Sequence, residues 1–117
     1  MKLIDIKELL DAEFLTKNNY YDKEVERAFG CDLMSDVLAR VSGDVLLLTG
    51  LANIQTIRTA EMKDIKCIVY VRGKIPSKEV IDLAEEKEII LMSTKYIMFT
   101  ACGILFNAGI KGAEIQI

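Results

Sequence analysis

A chain of 117 residues, just over half of them hydrophobic and only one a proline, reads as one domain spanning 1–117, with enough apolar surface for a real core. Its net charge of −3 is uneven, −4 over residues 1–50 and +1 over residues 51–117, which leaves no clustered basic face and excludes a nucleic-acid partner. There is no histidine, so histidine acid–base chemistry and histidine-containing metal sites are excluded as well.

Near the start, Asp5-Ile6-Lys7-Glu8 has the spacing of a capping box, with Ile6, Leu9 and Leu10 at helical positions behind it. Glu13 to Thr16 suits a brief strand, Lys17-Asn18-Asn19 a turn, and Ala28 to Cys31 a further strand. Met34, Val37, Leu38 and Val41 fall at i, i+3, i+4 and i+7, an amphipathic helix that Asp32 can cap and Ser42-Gly43 can end. Asp44 to Thr49 is apolar on both faces and therefore a central strand. Gly50 breaks it, and Asn53 can start a helix from Ile54 to about Lys63. Cys67 to Val71, then a helix opened by Pro76-Ser77, then Glu88 to Met92 make a βαβ unit, so the sheet is mostly parallel and the fold class α/β. In that helix Val80, Ile81, Leu83 and Ala84 form the inward stripe.

The helix expected from about Lys95 to Ala108 is apolar nearly all round. Tyr96, Ile97, Met98, Phe99, Ile104, Leu105 and Phe106 cannot all face one sheet. Such a helix is wholly buried or shared between subunits, and a domain this small favours a homodimer with Met98, Phe99 and Phe106 at the interface. The Gly109–Ile117 tail ends in an edge strand.

In open parallel sheets, ligands collect outside the carboxyl ends of the strands. Those ends carry Asp32 and Ser35, then Thr49, Gly50 and Asn53, then Arg72, Gly73 and Lys74, then Ser93 and Thr94. Helix N-termini point at the same region and Arg72 and Lys74 add charge, so a small anion such as a nucleotide phosphate suits it. Capping alone accounts for Asp32, Asn53, Ser77 and Thr94 taken singly. No GxxxxGK[ST] and no GxGxxG after a strand occurs, and no serine has a histidine partner, so the chain reads as a non-enzyme without cofactor. Cys31, Cys67 and Cys102 are too widely spaced for a disulfide framework and read as reduced thiols; a three-thiolate iron–sulfur site ranks below simple core packing. The Met1–Glu13 segment carries charges at Lys2, Asp5, Lys7 and Glu8, unlike a signal peptide. Tyr96 to Ile110, the longest uncharged stretch, is shorter than the roughly 20 residues that span a bilayer. No membrane partner is therefore expected, and a cytoplasmic location is.

The run VRGKIPSKEVIDLAEEKEIILMST with the apolar helix after it resembles the DRTGG domain, and with it the amino-terminal domain of HPr kinase/phosphorylase. GCDLMSDVLA (Gly30 to Ala39) and TGLANIQTIRTAEMKDI (Thr49 to Ile65) resemble its stand-alone members, so the likeness covers most of the chain. Asp22-Lys23 resembles the first two positions of the family's naming signature, and Glu26 and Arg27 stand about where its glycines fall. The resemblance implies a three-layer α/β/α fold and a dimerising, regulatory or ligand-sensing role. In such relatives the domain sits beside nucleotide-sensing CBS modules in pyrophosphatases or ahead of a kinase domain. Stand-alone members resemble proteins encoded with hydrogenase and other redox systems, often labelled serine kinases, a label the missing P-loop does not support here. The expected function is a non-catalytic homodimeric module binding a nucleotide, another small anion or a partner protein. A structural dimerisation or assembly protein of a redox system is the alternative, and a redox role for the cysteines the third reading.

Overall fold

The four apolar runs read as strands lie side by side and parallel in a computed structural model that describes residues 1–17, 21–41 and 44–114. They are β2 (Arg27–Gly30), β3 (Leu46–Thr49), β4 (Cys67–Tyr70) and β5 (Ile90–Ser93). At one edge β1 (Glu13–Phe14) pairs antiparallel with β5, and at the other β6 (Lys111–Gly112) pairs parallel with β2. The sheet order is β1-β5-β4-β3-β2-β6. The expected turn residues Asn18 and Asn19, the helix stop Ser42-Gly43 and the last three residues of the tail lie outside the described residues.

Every residue of β3, β4 and β5 is buried, because helices cover both faces of the sheet. Side chains alternate between the two faces along each strand. Leu46, Leu48, Cys67, Val69, Ile90 and Met92 meet α1 (Leu3–Leu9) and α5 (Met98–Asn107). Leu47, Ile68, Tyr70 and Leu91 meet α2 (Met34–Arg40), α3 (Ile54–Met62) and α4 (Lys78–Glu86). This is the three-layer α/β/α arrangement that the resemblance implied, built on the mostly parallel sheet expected from the βαβ pattern. The connections from β2 to β5 step across the sheet in one direction, so α2, α3 and α4 share a face. The connection from β5 to β6 runs back the other way, and a crossover that keeps its right hand while reversing direction puts its helix on the opposite face. Gly30 makes room for that helix. A Cβ there would lie 2.9 Å from the Cys102 sulfur and 3.0 Å from that of Met98.

Several local expectations change. Asp5 does not begin the first helix; it sits at the third helical position, where Oδ2 accepts from the Lys2 amide at 3.3 Å, and Leu9 turns outward while Leu3 and Ile6 turn in. Leu38 is exposed, since Met34, Val37 and Val41 alone fill the contact of α2 with the sheet. In α4 only Val80 and Ala84 are buried, and Ile81 and Leu83 form a half-buried shoulder.

Four helices stop by the same device. The residue after each C-cap adopts a left-handed backbone: Asp11 (φ 47°), Asp64 (φ 57°), Glu88 (φ 59°) and Gly109 (φ 109°). The next amide then reaches back to the third-last helical carbonyl: Ala12 to Lys7, Ile65 to Ala60, Ile89 to Ala84 and Ile110 to Leu105, at 2.8–3.0 Å. Each of those following residues is buried, which seats the chain for the next strand or turn. Only one of the four stops uses glycine.

Candidate functional site

Parallel pairing in register brings Thr49, Tyr70 and Ser93 to one level at the carboxyl edge, so the loops that follow β3, β4 and β5 emerge together. Adjacent strands β4 and β5 send their chains to opposite faces, α4 on one and α5 on the other. A crevice is expected between them at such a point. Here it is laced shut. The Arg72 amide donates to the Tyr96 carbonyl and the Gly73 amide to that of Thr94, both at 2.8 Å, and Ser93 Oγ donates to the Lys74 carbonyl at 2.8 Å. Next to this lacing is a cleft of about 360 Å³ lined by Asp11, Glu13, Gly73, Ile75 and Lys95 among others, where two carboxylates face one ammonium. That balance does not welcome an anion.

One strand further along, the polar groups converge differently. Asp32, just past β2, does not cap α2, whose N-cap is Leu33 with no side-chain bond. Its Oδ1 instead reaches across to the end of β3, accepting from the Gly50 amide at 2.6 Å and from Thr49 Oγ1 at 3.2 Å. Thr49 Oγ1 in turn accepts from the Leu51 amide at 3.1 Å. From the end of β4, Arg72 folds its guanidinium over the same glycine, with Nη2 3.5 Å from the Gly50 carbonyl. Arg72 has a left-handed backbone (φ 61°), as does Gly73 (φ 70°), and this consecutive pair reverses the chain. A non-glycine residue held there is strained by about 1–2 kcal/mol. Among the described residues no carboxylate lies within ion-pair distance of Arg72 or of Lys74, and both are exposed. Asp32, Thr49, Gly50 and Arg72 thus form one linked cluster across three strand ends, with a free cation on its outer side.

Three other expected members stand apart from it. Asn53 is a helix cap: its Oδ1 accepts from the Gln55 amide at 3.0 Å at the start of α3. Ser35 is exposed on the first turn of α2. Thr94 is 1 % exposed, and its Oγ1 donates to the Leu10 carbonyl at 2.6 Å on the α1 side of the sheet, away from the Arg72 cluster. Nor does it cap α5, which starts at Met98 with Ile97 in the N-cap position. Ser77 holds the N-cap position of α4 without a side-chain bond.

Tyr70 belongs to the region and was not expected there. Its ring is buried under α3, and its hydroxyl lies 2.7 Å from Thr56 Oγ1. Thr56 already donates to the Asn53 carbonyl at 2.8 Å, so the tyrosine supplies the proton of the pair. Burial pushes the phenol up to about 12. The signal was present in the sequence as threonines 56 and 59 on the inward stripe of α3 and a tyrosine in the run CIVYV.

On the opposite face, α5 buries Ala101 and Leu105, while Phe99 is 86 % and Phe106 71 % exposed. Met98 is half-buried and packs against the core beside Gly30, less open to solvent than Phe99 and Phe106. Beside Phe106 an apolar cavity of about 100 Å³ opens between α5 and the β2–β6 edge, lined by Ala28, Gly30, Cys102 and Ile110 among others. The cysteines divide between the two faces: Cys67 and Cys102 pack in the α1/α5 layer and Cys31 against the other. A single three-thiolate cluster would have to draw sulfurs through the sheet. Burial also pushes the Cys67 and Cys102 thiols up, away from the thiolate that ligates metal. Among the described residues no helix is long and apolar enough to cross a membrane.

No curated protein matches the chain. Among solved structures it is similar to the CBS and DRTGG domains of the regulatory region of Clostridium perfringens pyrophosphatase, complexed with its activator diadenosine tetraphosphate. The TM-score is 0.71 and the identity 18 %, over 89 % of this chain and 45 % of that one. The chain thus spans less than half the length of that structure, and the likeness carries the fold. The model of the DRTGG domain matches residues 5–108, which takes in α1 from Asp5 onward, the four later helices and every strand up to β5. By that match the chain belongs to the DRTGG domain family.

Proposed function

We propose that this chain is a single-domain ligand-sensing module, homodimeric and cytoplasmic, that binds a nucleotide or other small anion at the carboxyl ends of β2, β3 and β4. One observation carries the reading: the Arg72 guanidinium is fixed over Gly50 at the meeting point of three strand ends, without a carboxylate partner among the described residues. Such a cation offers a bidentate seat for a phosphate. Asp32 and Thr49 brace the backbone beneath it, and Lys74 adds a second charge on the following turn. The Clostridium perfringens regulatory region, similar in fold, was crystallised with a nucleotide activator, which supports the same ligand class here.

A thermal-shift screen of diadenosine tetraphosphate, ATP, AMP and inorganic phosphate tests it. A ligand at a hundredfold excess over its Kd stabilises by about 2.7 kcal/mol. Arg72→Ala should leave the melting temperature of the free protein nearly unchanged and abolish that shift. A shift that survives Arg72→Ala places the pocket elsewhere. If none of the four compounds shifts the wild-type protein, the alternative takes over: an assembly or dimerisation protein of a redox system, docking a second copy or a partner protein through Phe99 and Phe106. The exposure of those two rings is the observation that favours it.

A further inference from the structure

Gly50 is buried at the end of β3, and its φ lies outside the left-handed region, so its backbone does not call for glycine. Its surroundings do. A Cβ built on Gly50 would overlap Arg72 Nη2 and lie 3.1 Å from both Cζ and Nε; the three nearest atoms all belong to that one guanidinium. The hydrogen on Gly50 is therefore the floor on which the planar group rests. The amide and carbonyl of the same residue are engaged on opposite sides, the amide by Asp32 at 2.6 Å and the carbonyl by Arg72 at 3.5 Å. The carboxylate fixes the peptide, and the peptide steers the guanidinium.

We propose that Gly50 is a positioning residue for the anion site: by lacking a side chain it seats the Arg72 guanidinium over the end of β3, with Asp32 holding the seat in place. The inference rests on the anion-binding reading for its functional meaning, but its structural content is separate. A guanidinium so seated keeps one edge on the Gly50 carbonyl and turns the other outward, toward a phosphate or carboxylate oxygen. The left-handed backbone at Arg72, followed by that of Gly73, reverses the chain at the point where the guanidinium reaches Gly50. Arginine is the far end of a flexible side chain, so Gly50→Ala should displace the guanidinium and leave the fold standing.

The test uses the full chain with Gly50→Ala, Arg72→Ala and the double variant. In wild-type protein the Nε–Hε resonance of Arg72, assigned by its loss in Arg72→Ala, should stand apart from that of free arginine. Gly50→Ala should move it to the free position and weaken binding of diadenosine tetraphosphate or ATP, whichever the wild type binds, at least tenfold. Where Gly50→Ala also lowers the melting temperature, the loss should vanish in the Arg72→Ala background, because the colliding group is gone. An Arg72 resonance that stays in place, an unchanged affinity, or a thermal loss equal in both backgrounds overturns the proposal. If the wild type binds neither nucleotide, the anion-binding reading fails, and the resonance and the thermal comparison still decide the role of Gly50.

Discussion

Replacing Glu88 by glycine should stabilise this protein, although it deletes a side chain and adds none. Glu88 closes α4 with φ 59°, where its Cβ crowds the following carbonyl at a cost of about 1–2 kcal/mol. Glycine removes that strain but has more freedom to lose on folding, about 0.5–1 kcal/mol, so the backbone gain is about 0.5–1 kcal/mol. The carboxylate also sits at the negative end of the helix dipole, after Glu85 and Glu86, and its removal is worth about 0.3–1 kcal/mol. Lys23 and Lys66 share a cleft with Glu88, but their ammonium groups pair with Asp44 at 3.2 Å and Asp64 at 3.6 Å. Partial compensation by those two lysines puts the charge contribution near its lower bound. The net effect is about 1 kcal/mol, and at ~2.1 cal/mol/K per residue over this chain length that raises the melting temperature by about 4 °C. Thermal and urea unfolding of wild type, Glu88→Gly and Glu88→Ala read the effect and divide it. The alanine variant loses the charge but keeps the Cβ, so it should recover only the smaller share. If alanine stabilises as much as glycine, backbone strain is not the cause; if glycine destabilises, the reasoning about this helix stop is wrong.

Alkaline titration should expose the buried phenol and thiol. Cys67 and Tyr70 are both raised above their ordinary values of 9.0 and 10.0, by burial foremost, so the native state keeps protons that the unfolded chain releases. Their contribution is whole below about pH 9 and is lost as pH rises, for Tyr70 through about 12; unfolding free energy measured from pH 8 to 11 should fall, and less steeply in Tyr70→Phe. At pH 7 the same variant should cost about 1 kcal/mol, because Thr56 loses its donor. Thr94→Val keeps the shape but strips the buried Leu10 carbonyl of its donor, for an expected loss of about 1–3 kcal/mol by urea unfolding; a neutral result would mean the bond at the end of α1 carries no weight. Phe106→Asp should give a folded monomer if α5 is a subunit interface, read by sedimentation velocity against a dimeric wild type, with a melting temperature below that of the dimer. A wild type that is monomeric at micromolar concentration removes that reading.

The sheet was legible because its signals are local and strong. LLLT, CIVY and ILMS are apolar on both sides, and strands of that kind have no stable place except under two layers of helix. Asn53 was legible for a similar reason, as an asparagine directly before an amphipathic run. Asp32 and Thr94 were not. Aspartate and threonine before a helix look like caps whichever way the side chain turns, and here the partners lie 18 and 84 residues away in sequence. The left-handed backbone at Arg72 was hidden for another reason: a glycine stands next to it, and in the sequence the glycine seemed enough to make the turn. Likewise Met98, Phe99 and Phe106 are equally apolar as letters. Only the depth of the groove beside Gly30 separates the one that turns in from the two that turn out.

Both margins of the sheet end in strands of two residues, β1 and β6, the former running against its neighbour. A margin that short offers an incoming chain very few unpaired amides and carbonyls, too few to nucleate a continuous ladder between molecules. Growth of the sheet from one molecule into the next is therefore disfavoured at either margin among the described residues. The broad apolar surface lies elsewhere, on the outer side of α5, where helix meets solvent rather than strand. Self-association routed there stops at a closed pair when the same patch faces itself, whereas pairing at free margins has no natural end. In a protein rich in β-branched and leucine strands, that division between a blunt margin and a sticky face keeps assembly finite.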